Sequence, residues 1–325
     1  MVTKPGSLGA PEPGLDPAQF TVRQTELTTG VRIAYVHEGV GGEPVLLVHG
    51  YPETKRIWWR NIEQLSAGGF EVIAPDLRGF GDSGLALNQH YDPAAYAEDL
   101  RALVRDILGH ERISVVAGDL GMSVAIDLAL RYEGLVTSMV LFNGPAPSLR
   151  DAYRDAGIPP DASRKHRPAA DYFLRQGTEA VELLGELDTE ERRRRYVASF
   201  YGHRLWGSPG AFDSASVNFH AMPFGDADHL ATTWGSYQVA CGTRPASAVP
   251  RLFEPVPVPT VILYGSLDPV VPPSFIEKCR VAFEDCVGPF VLPDVGHFVQ
   301  WEAATTLNRT VTRFILGARS QTRTT

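Results

Sequence analysis

The 325-residue chain has little of what marks several protein classes. Its three cysteines, Cys241, Cys279 and Cys286, are an odd number without metal-ligand spacing, so neither a disulfide framework nor a cysteine metal site is indicated. The formal net charge is −8, which argues against a nucleic-acid-binding surface. No apolar run is long enough to span a bilayer, and no apolar signal core lies near the N-terminus. We therefore expect a cytoplasmic globular protein without membrane contact.

A tight turn with a carboxylate side chain is the most informative feature that is present. An apolar strand, Ile113–Val116, runs through small residues to Asp119, and an alanine-rich stretch with helical spacing follows. This is the layout of a nucleophile elbow, which usually presents serine. The nearby Ser123 lies one turn into the helix, so an esterase is disfavoured. A carboxylate nucleophile attacks carbon and leaves an ester on the enzyme. The alternative is a turn aspartate that accepts backbone hydrogen bonds.

Apolar strand patterns alternate with helical patterns along most of the chain. This alternation predicts an α/β fold with a mostly parallel sheet flanked by helices. Predicted helices cover 54–65, begin at Asp92-Pro93 with aspartate as N-cap, follow Asp119, and cover 299–316. The predicted strands are Phe20–Leu27, Val31–His37, Pro44–His49, Phe70–Asp76, Ile113–Val116, Thr137–Phe142, Pro259–Tyr264 and Pro289–Leu292.

Two segments depart from the alternation. Residues 1–18 are rich in proline and glycine and are predicted to be a disordered tail. Residues 146–250, the helical insertion, are helical and aromatic in pattern and too long for a loop. They follow the strand after the elbow, so we expect a cap over the carboxyl ends of the sheet, where α/β proteins bind ligands. The core is then 19–145 and 251–325.

Two later motifs complete a candidate catalytic triad with Asp119. Asp268 follows a late strand, and His297 lies in a turn before the final helix. The order nucleophile, acid, histidine is that of the α/β-hydrolase fold. A histidine held by a carboxylate can take a proton from water near neutral pH. Either residue alone could be an ordinary turn residue, but their joint appearance at strand ends favours a triad.

The segment 49–53 supplies a candidate oxyanion hole. A strand ends there and the chain bends, so the backbone N–H groups of Tyr51 and Leu120 can face the Asp119 carboxylate. Pro52 is a candidate cis-proline. We interpret His49 as a structural residue that holds the loop.

A glycine-rich run, 79–84, matches the G-x-G-x-x-G spelling of dinucleotide-binding loops. It follows a later strand, and no clear helix begins after it, so the context is wrong for that function. We interpret the run as a turn packed near the site. We predict no NAD, no other cofactor and no metal.

These motifs together resemble the epoxide hydrolases of the α/β-hydrolase fold, and the resemblance covers nearly the whole chain from about residue 20. In that family two cap tyrosines hydrogen-bond the epoxide oxygen. The resemblance implies Tyr237 for one and Tyr172 for the other, with Tyr201 or Tyr153 as alternatives to Tyr172. Each tyrosine could instead be a packing residue whose hydroxyl is satisfied elsewhere. The motifs are His49-Gly50-Tyr51-Pro52, Arg78-Gly79-Phe80-Gly81-Asp82-Ser83, Gly118-Asp119-Leu120-Gly121, Asp268 and Gly296-His297-Phe298.

The sequence departs from that family at one position, since Leu120 stands where a tryptophan is usual. Haloalkane dehalogenases share the Asp-His-acid set but need side-chain donors for the halide, which Leu120 and Tyr51 do not supply. Fluoroacetate dehalogenases need arginines beside the nucleophile, where this chain has Leu120 and Met122. Dehalogenation of a haloalkane or haloacid therefore ranks second. A non-hydrolytic enzyme or binding protein for a biosynthetic intermediate stays a third alternative.

The resemblance thus implies a hydrolase that opens an epoxide to a vicinal diol through an ester on Asp119. Water activated by His297 and Asp268 would then hydrolyse that ester. The expected partner is a small epoxide, as the resemblance implies, and an apolar one, because the helical insertion is rich in aromatic residues. We expect no nucleic-acid partner. A homodimer is possible. Most of these aromatic residues would form the core of the cap: Phe200, Trp206, Phe212, Phe219, Phe224 and Trp234.

Overall fold

The computed structural model describes residues 15–162, 171–202, 204 and 206–322, with the side chains of 318–322 not described. Eight strands form one sheet in the order β1-β2-β4-β3-β5-β6-β7-β8. β2 is antiparallel to both its neighbours. The other strands beyond it, β4, β3, β5, β6, β7 and β8 in sheet order, are parallel to one another. The strands are β1 Val22–Glu26, β2 Arg32–Glu38, β3 Glu43–Val48, β4 Phe70–Pro75, β5 Ile113–Gly118, β6 Val136–Phe142, β7 Thr260–Gly265 and β8 Cys286–Leu292.

Helices flank this sheet, as the alternation of patterns predicts. α1 packs on α13 and α2 packs on α3. The helices, in chain order, are α1 Trp59–Ala67, α2 Pro93–Arg101, α3 Asp119–Arg131, α4 Arg150–Asp155, α5 Asp171–Thr178, α6 Ala180–Glu186, α7 Glu190–Tyr201, α8 Ser214–Ala221, α9 Ala227–Thr233, α10 Gly235–Cys241, α11 Phe275–Ala282, α12 Val299–Glu302 and α13 Ala304–Thr322.

The central strands follow from their composition. β4 and β5 are buried along their whole length, since continuous apolar runs fit strands that are covered on both faces. The predicted α/β architecture, a mostly parallel sheet flanked by helices, is therefore confirmed. The predicted N-cap is also confirmed, because the Asp92 side chain accepts hydrogen bonds from Ala94 N and Ala95 N, and Pro93 is the first helical residue.

Three elements differ from the sequence prediction. The last strand, β8, is longer than the predicted 289–292 and begins at Cys286. The predicted helix over 299–316 is two helices, because Ala303 has the non-helical dihedrals φ −122° and ψ 34°. Helix α11 has no counterpart in the prediction, since its eight-residue apolar pattern lies between less regular segments.

The helical insertion lies between β6 and β7 and carries α4 to α10. Among its described residues, which exclude 163–170, 203 and 205, there is no strand. α5 packs on α10, and α7 packs on α8. The Tyr201 hydroxyl donates to Pro52 O, and an Arg56 amino group donates to Phe219 O over 3.0 Å. Because Pro52 and Arg56 follow β3, these bonds attach the insertion to the segment after the carboxyl end of that strand.

Residues 1–14 of the predicted N-terminal tail lie outside the described residues. The next residues contact the core, where Trp59 Nε1 donates to Asp16 O over 2.8 Å. Over the described ranges, no helix combines the length and the apolar composition needed to cross a membrane.

Candidate active site

The turn between β5 and α3 places Asp119 at the carboxyl edge of the sheet. Its φ of +48° lies in the left-handed region, which costs a residue other than glycine about 1–3 kcal/mol. The turn is also tightly packed: a Cβ on Gly121 would lie 2.4 Å from Val48 O. Small residues are therefore required where α3 passes β3, as expected for the nucleophile elbow predicted from the sequence.

The loop after β3 supplies a donor to the Asp119 carboxylate. Tyr51 N donates to Asp119 Oδ1 over 2.7 Å. The Tyr51-Pro52 peptide bond is cis, as predicted. Oδ1 thus has a backbone donor that can stabilise negative charge on this oxygen. The Leu120 amide, the second predicted donor, stays a prediction.

The other carboxylate oxygen of Asp119 faces the histidine. His297 Nε2 lies 3.3 Å from Asp119 Oδ2, and His297 Nδ1 lies 2.9 Å from Asp268 Oδ2. Asp268 is itself fixed, because its Oδ1 accepts from Val270 N and Val271 N. His297 and Asp268 are both buried. The structure therefore brings the three predicted triad residues together.

The surroundings of His297 set its charge. Burial by itself lowers the pKa of His297, but the charge of Asp268 and the hydrogen bonds and charge of Asp119 together raise it well above its usual value. The imidazole is therefore protonated at neutral pH. Loss of the Asp119 charge would remove part of this stabilisation and make the imidazole a better base.

His49 holds the loop of residues 49–53, which we call the oxyanion loop, as predicted. Its Nε2 lies 3.0 Å from Leu77 N, which can only donate, so Nε2 accepts. Nδ1 then carries the proton and donates to Gly50 O over 2.9 Å. Burial lowers the pKa of His49, which favours this neutral form.

Two tyrosines of the helical insertion meet near Asp119. Tyr172 and Tyr237 are buried, and their rings are perpendicular with centroids 5.5 Å apart. Both rings also contact the Tyr51 ring. Burial, followed by the charges of Tyr172 and Asp119, raises the pKa of Tyr237 well above its usual value. Tyr237 therefore stays neutral and keeps its donor proton.

The alternatives to Tyr172 are otherwise engaged. The Tyr153 hydroxyl donates to Pro147 O, and the Tyr201 hydroxyl donates to Pro52 O. A hydroxyl that donates its single proton to a backbone carbonyl has none left for a ligand. Tyr172, in contrast, packs directly against Tyr237, so it stays the predicted partner of Tyr237.

The glycine-rich run 79–84 is a turn fixed by buried charges. Asp76 Oδ2 accepts from Asp82 N over 2.8 Å, and Lys55 Nζ lies 2.5 Å from both the Asp76 and Asp82 carboxylates. The next helix, α2, begins only at Pro93. The turn contacts the loop of residues 49–53, because the Phe80 ring packs against the His49 ring with centroids 5.0 Å apart. Over the described residues, no group of three or more histidine, cysteine, aspartate or glutamate side chains could hold a metal ion.

Sequence reasoning missed Glu53, although it lies in the segment quoted for the oxyanion loop. Its Oε2 accepts from Gly50 N over 2.7 Å, and its Oε1 accepts from Gln300 Nε2 over 2.9 Å. Burial first, and then the Asp119 charge, raise the pKa of Glu53 to about 7. The only sequence signal for a role of Glu53 was its position in segment 49–53, next to the predicted oxyanion hole.

Sequence reasoning also missed Asn143, which follows β6. Its Nδ2 donates to Gly296 O over 2.8 Å and to His297 O over 3.0 Å, and its Oδ1 accepts from Gly265 N over 2.9 Å. Its own carbonyl accepts from Asp119 N over 3.2 Å. The side chain and the carbonyl of this one residue thus join the segments that carry all three triad residues. A lone asparagine after a strand gives no sequence signal for this role.

Comparisons with known proteins agree with this arrangement. The family model described as alpha/beta hydrolase fold matches residues 43–304. Epoxide hydrolase 3 of Mus musculus is 32% identical over 287 residues, which cover 84% of this chain and 70% of that protein. Epoxide hydrolase A of Mycobacterium tuberculosis is 26% identical over 326 residues, which cover 89% of this chain and 96% of that protein.

The solved structure of the epoxide hydrolase CorEH without ligand has a TM-score of 0.78 at 22% identity, and the match covers 92% of this chain and 100% of CorEH. At that identity the likeness shows the fold alone. The family model and the mouse relative show the family as well as the fold. The chain therefore belongs to the epoxide hydrolase family of the α/β-hydrolase fold.

Proposed function

We propose that this enzyme hydrolyses an epoxide to a vicinal diol through a covalent ester on Asp119. The observation that carries the proposal is the setting of one carboxylate. Asp119 Oδ1 is bound by the Tyr51 amide, while Asp119 Oδ2 lies 3.3 Å from His297 Nε2. A carboxylate held in this way can act as a nucleophile through one oxygen and accommodate charge on the other.

In the first half-reaction, Asp119 Oδ2 attacks an epoxide carbon and the ring C–O bond breaks. The ring oxygen takes a proton from Tyr237 or Tyr172 as it gains charge. The Asp119 charge acts on Tyr237, and the Tyr172 ring packs against the Tyr237 ring, which supports this role. The raised pKa of Tyr237 keeps its hydroxyl protonated until that moment. The product is a hydroxyalkyl ester of Asp119 and a tyrosinate.

In the second half-reaction, the imidazolium of His297 first gives its proton to the tyrosinate. The neutral imidazole then takes a proton from water, and the water oxygen attacks the Asp119 carbonyl carbon. Esterification has removed the Asp119 charge, so the pKa of His297 falls toward the range where it acts as a base. The tetrahedral oxyanion forms on Oδ1, at the Tyr51 amide. The ester C–O bond then breaks, the imidazolium protonates the leaving alkoxide to give the diol, and the new carboxylic acid gives its proton to His297, which restores the starting state.

The aromatic surroundings favour a small apolar epoxide as substrate. The Tyr172 ring packs against Phe173, Phe200 and Trp206, with centroid separations of 6.4, 5.6 and 4.8 Å. These contacts surround the two proposed proton donors with apolar surface. Phe212 and Phe219 pack instead on Trp301, so they belong to the interface between the helical insertion and the core.

A test uses His297→Gln, which removes the base and leaves the nucleophile. Intact-protein mass spectrometry with styrene oxide should show the variant gaining the mass of one substrate molecule. The double variant with Asp119→Asn should gain none. No adduct with a panel of epoxides, or an adduct with a haloalkane only, would overturn the proposal and favour a dehalogenase.

A further inference from the structure

Glu302, which the mechanism above does not use, contacts the main chain on both sides of His297. Its Oε1 accepts from Phe298 N over 2.9 Å, and its Oε2 accepts from Gly296 N over 2.7 Å. Gly296 and Phe298 are the chain neighbours of His297. One half-buried carboxylate therefore fixes the peptide groups on both sides of His297. These peptide groups determine the position of the His297 Cα and hence of its imidazole ring.

The same carboxylate also binds the helical insertion. Glu302 Oε2 accepts from Ser208 N over 2.8 Å. A second bond runs beside it, since His297 N donates to Trp206 O over 2.7 Å. The two segments are in tight contact, because a Cβ on Gly296 would lie 2.5 Å from Ser208 N. The histidine loop and residues 206–208 are therefore joined by two hydrogen bonds and by close packing.

Hydrogen bonds to an ionised acceptor are shorter and about twice as strong as those between neutral groups. Three N–H donors converge on the Glu302 carboxylate, so a neutral side chain of the same shape would lose strength in all three bonds. An amide would also turn an NH2 group toward at least one of these donors. Small displacements of a catalytic group reduce rates steeply, by about 100-fold for 1 Å.

We propose that Glu302 is a positioning residue for His297 and acts selectively on hydrolysis of the ester. This inference rests on the proposed function, in which His297 is needed for the second half-reaction. The first half-reaction uses Asp119, Tyr172 and Tyr237, and none of the hydrogen bonds of Glu302 described above involves them. Loss of the Glu302 carboxylate should therefore slow ester hydrolysis and leave ester formation nearly unchanged.

The experiment measures both half-reactions separately, by rapid-quench mass spectrometry of the adduct and by diol release, in the full-length enzyme with styrene oxide. For Glu302→Gln we expect hydrolysis to slow by about 100-fold while ester formation changes by less than about threefold. The adduct should accumulate in this variant. Glu302→Asp keeps the charge on a shorter side chain and should recover part of the hydrolysis rate.

Glu63→Gln is the matched control, since it removes an exposed carboxylate from α1 and should change neither rate. Absence of adduct and diol in the wild-type enzyme would overturn the proposed function. A working wild-type enzyme in which Glu302→Gln leaves both rates unchanged, or lowers both equally, would overturn the positioning role alone. If Glu302→Gln unfolds, Glu302→Asp decides by the same split between the two rates.

Discussion

The two halves of the candidate site are held by different forces. On the sheet side, the carboxylates of Asp119 and Asp268 are fixed by backbone N–H groups at distances of 2.7–3.1 Å. On the insertion side, Tyr172 and Tyr237 are held among other rings, with centroids 4.8–5.6 Å from their nearest aromatic neighbours. Charged groups are thus fixed by directional bonds, and neutral donors by packing.

The difference follows from the cost of burial. A buried carboxylate needs hydrogen bonds to stay ionised, whereas a buried tyrosine stays neutral and loses little by being surrounded with apolar rings. Hydrogen bonds have strict geometry, and packed rings tolerate small shifts. Substitutions on the sheet side should therefore act on one reaction step and act strongly. Substitutions on the insertion side should have graded effects.

The largest expected effect is that of Asp119→Asn. An amide is a poor nucleophile, so diol formation should fall by about 10⁴-fold or more. Steady-state diol release measured by chromatography is the readout. Asp294→Asn is the control, because Asp294 is an exposed loop residue with φ +58°, a conformation that asparagine tolerates. A rate of diol release in Asp119→Asn above about one hundredth of the wild-type rate would contradict the role of Asp119 as nucleophile.

Asp268→Asn comes next and tests the directional bonds of the sheet side. The amide of the variant has no charge to hold the His297 ring. Loss of the Asp268 charge also lowers the pKa of His297. Ester hydrolysis should slow on the order of a thousandfold, while ester formation changes less. Single-turnover kinetics with a rapid quench separate the two steps. Asp285→Asn, at an exposed position near β8, should behave like the wild-type enzyme.

A smaller effect is expected on the insertion side. Tyr237→Phe and Tyr172→Phe keep the ring packing and remove one donor each, so ester formation should slow by about tenfold to a hundredfold in each variant. The double variant should be slower than either one. Tyr153→Phe is the control, since that hydroxyl is bound to Pro147 O. If both single variants formed the ester at the wild-type rate, the tyrosines would be packing residues only.

The smallest effect concerns stability rather than turnover. The pKa of Glu53 is about 7 in the folded protein against 4.5 for the free side chain, so the folded state binds the proton more tightly than the unfolded state. The free energy of unfolding therefore falls as pH rises from about 4.5 to 7, by on the order of 3 kcal/mol. Glu53→Gln should lack this loss, so its Tm should exceed that of the wild-type protein by a few degrees at pH 9.

At pH 4.5, where Glu53 is protonated, the Tm values of Glu53→Gln and the wild-type protein should be close. Differential scanning calorimetry across this pH range gives both values. Glu63→Gln, which alters an exposed carboxylate of α1, is the control and should show the wild-type dependence on pH. A Tm difference between Glu53→Gln and wild type that does not change with pH would rule out the buried charge as its cause.

The sequence predicts the sheet side well because its signals are local. Apolar runs mark the buried strands, small residues mark the elbow, and the triad residues follow strand ends, where parallel strands bring side chains to one edge. Pro52 and His49 were identifiable for the same reason. On the insertion side, Tyr237 and Tyr172 required a family resemblance, since an aromatic residue in a helix has no local mark of its role.

The supporting residues could not be found in this way, because their partners are distant in the chain. Asn143 donates to Gly296 O, 153 positions later, and Glu53 accepts from Gln300, 247 positions later. The break at Ala303 is equally non-local, since alanine favours helix and the break lies where Glu302 binds the histidine loop. Such features arise from the assembled fold.

Asn143 has a consequence for heat inactivation. Because the amide side chain and the carbonyl of this one buried residue bond the segments that carry Asp119, Asp268 and His297, we expect the three triad residues to lose their places together. Warming should therefore yield two populations, fully competent molecules and molecules without the central sheet, rather than a progressively weakened enzyme. The temperature at which half the catalytic capacity disappears should coincide with the midpoint of the circular dichroism transition.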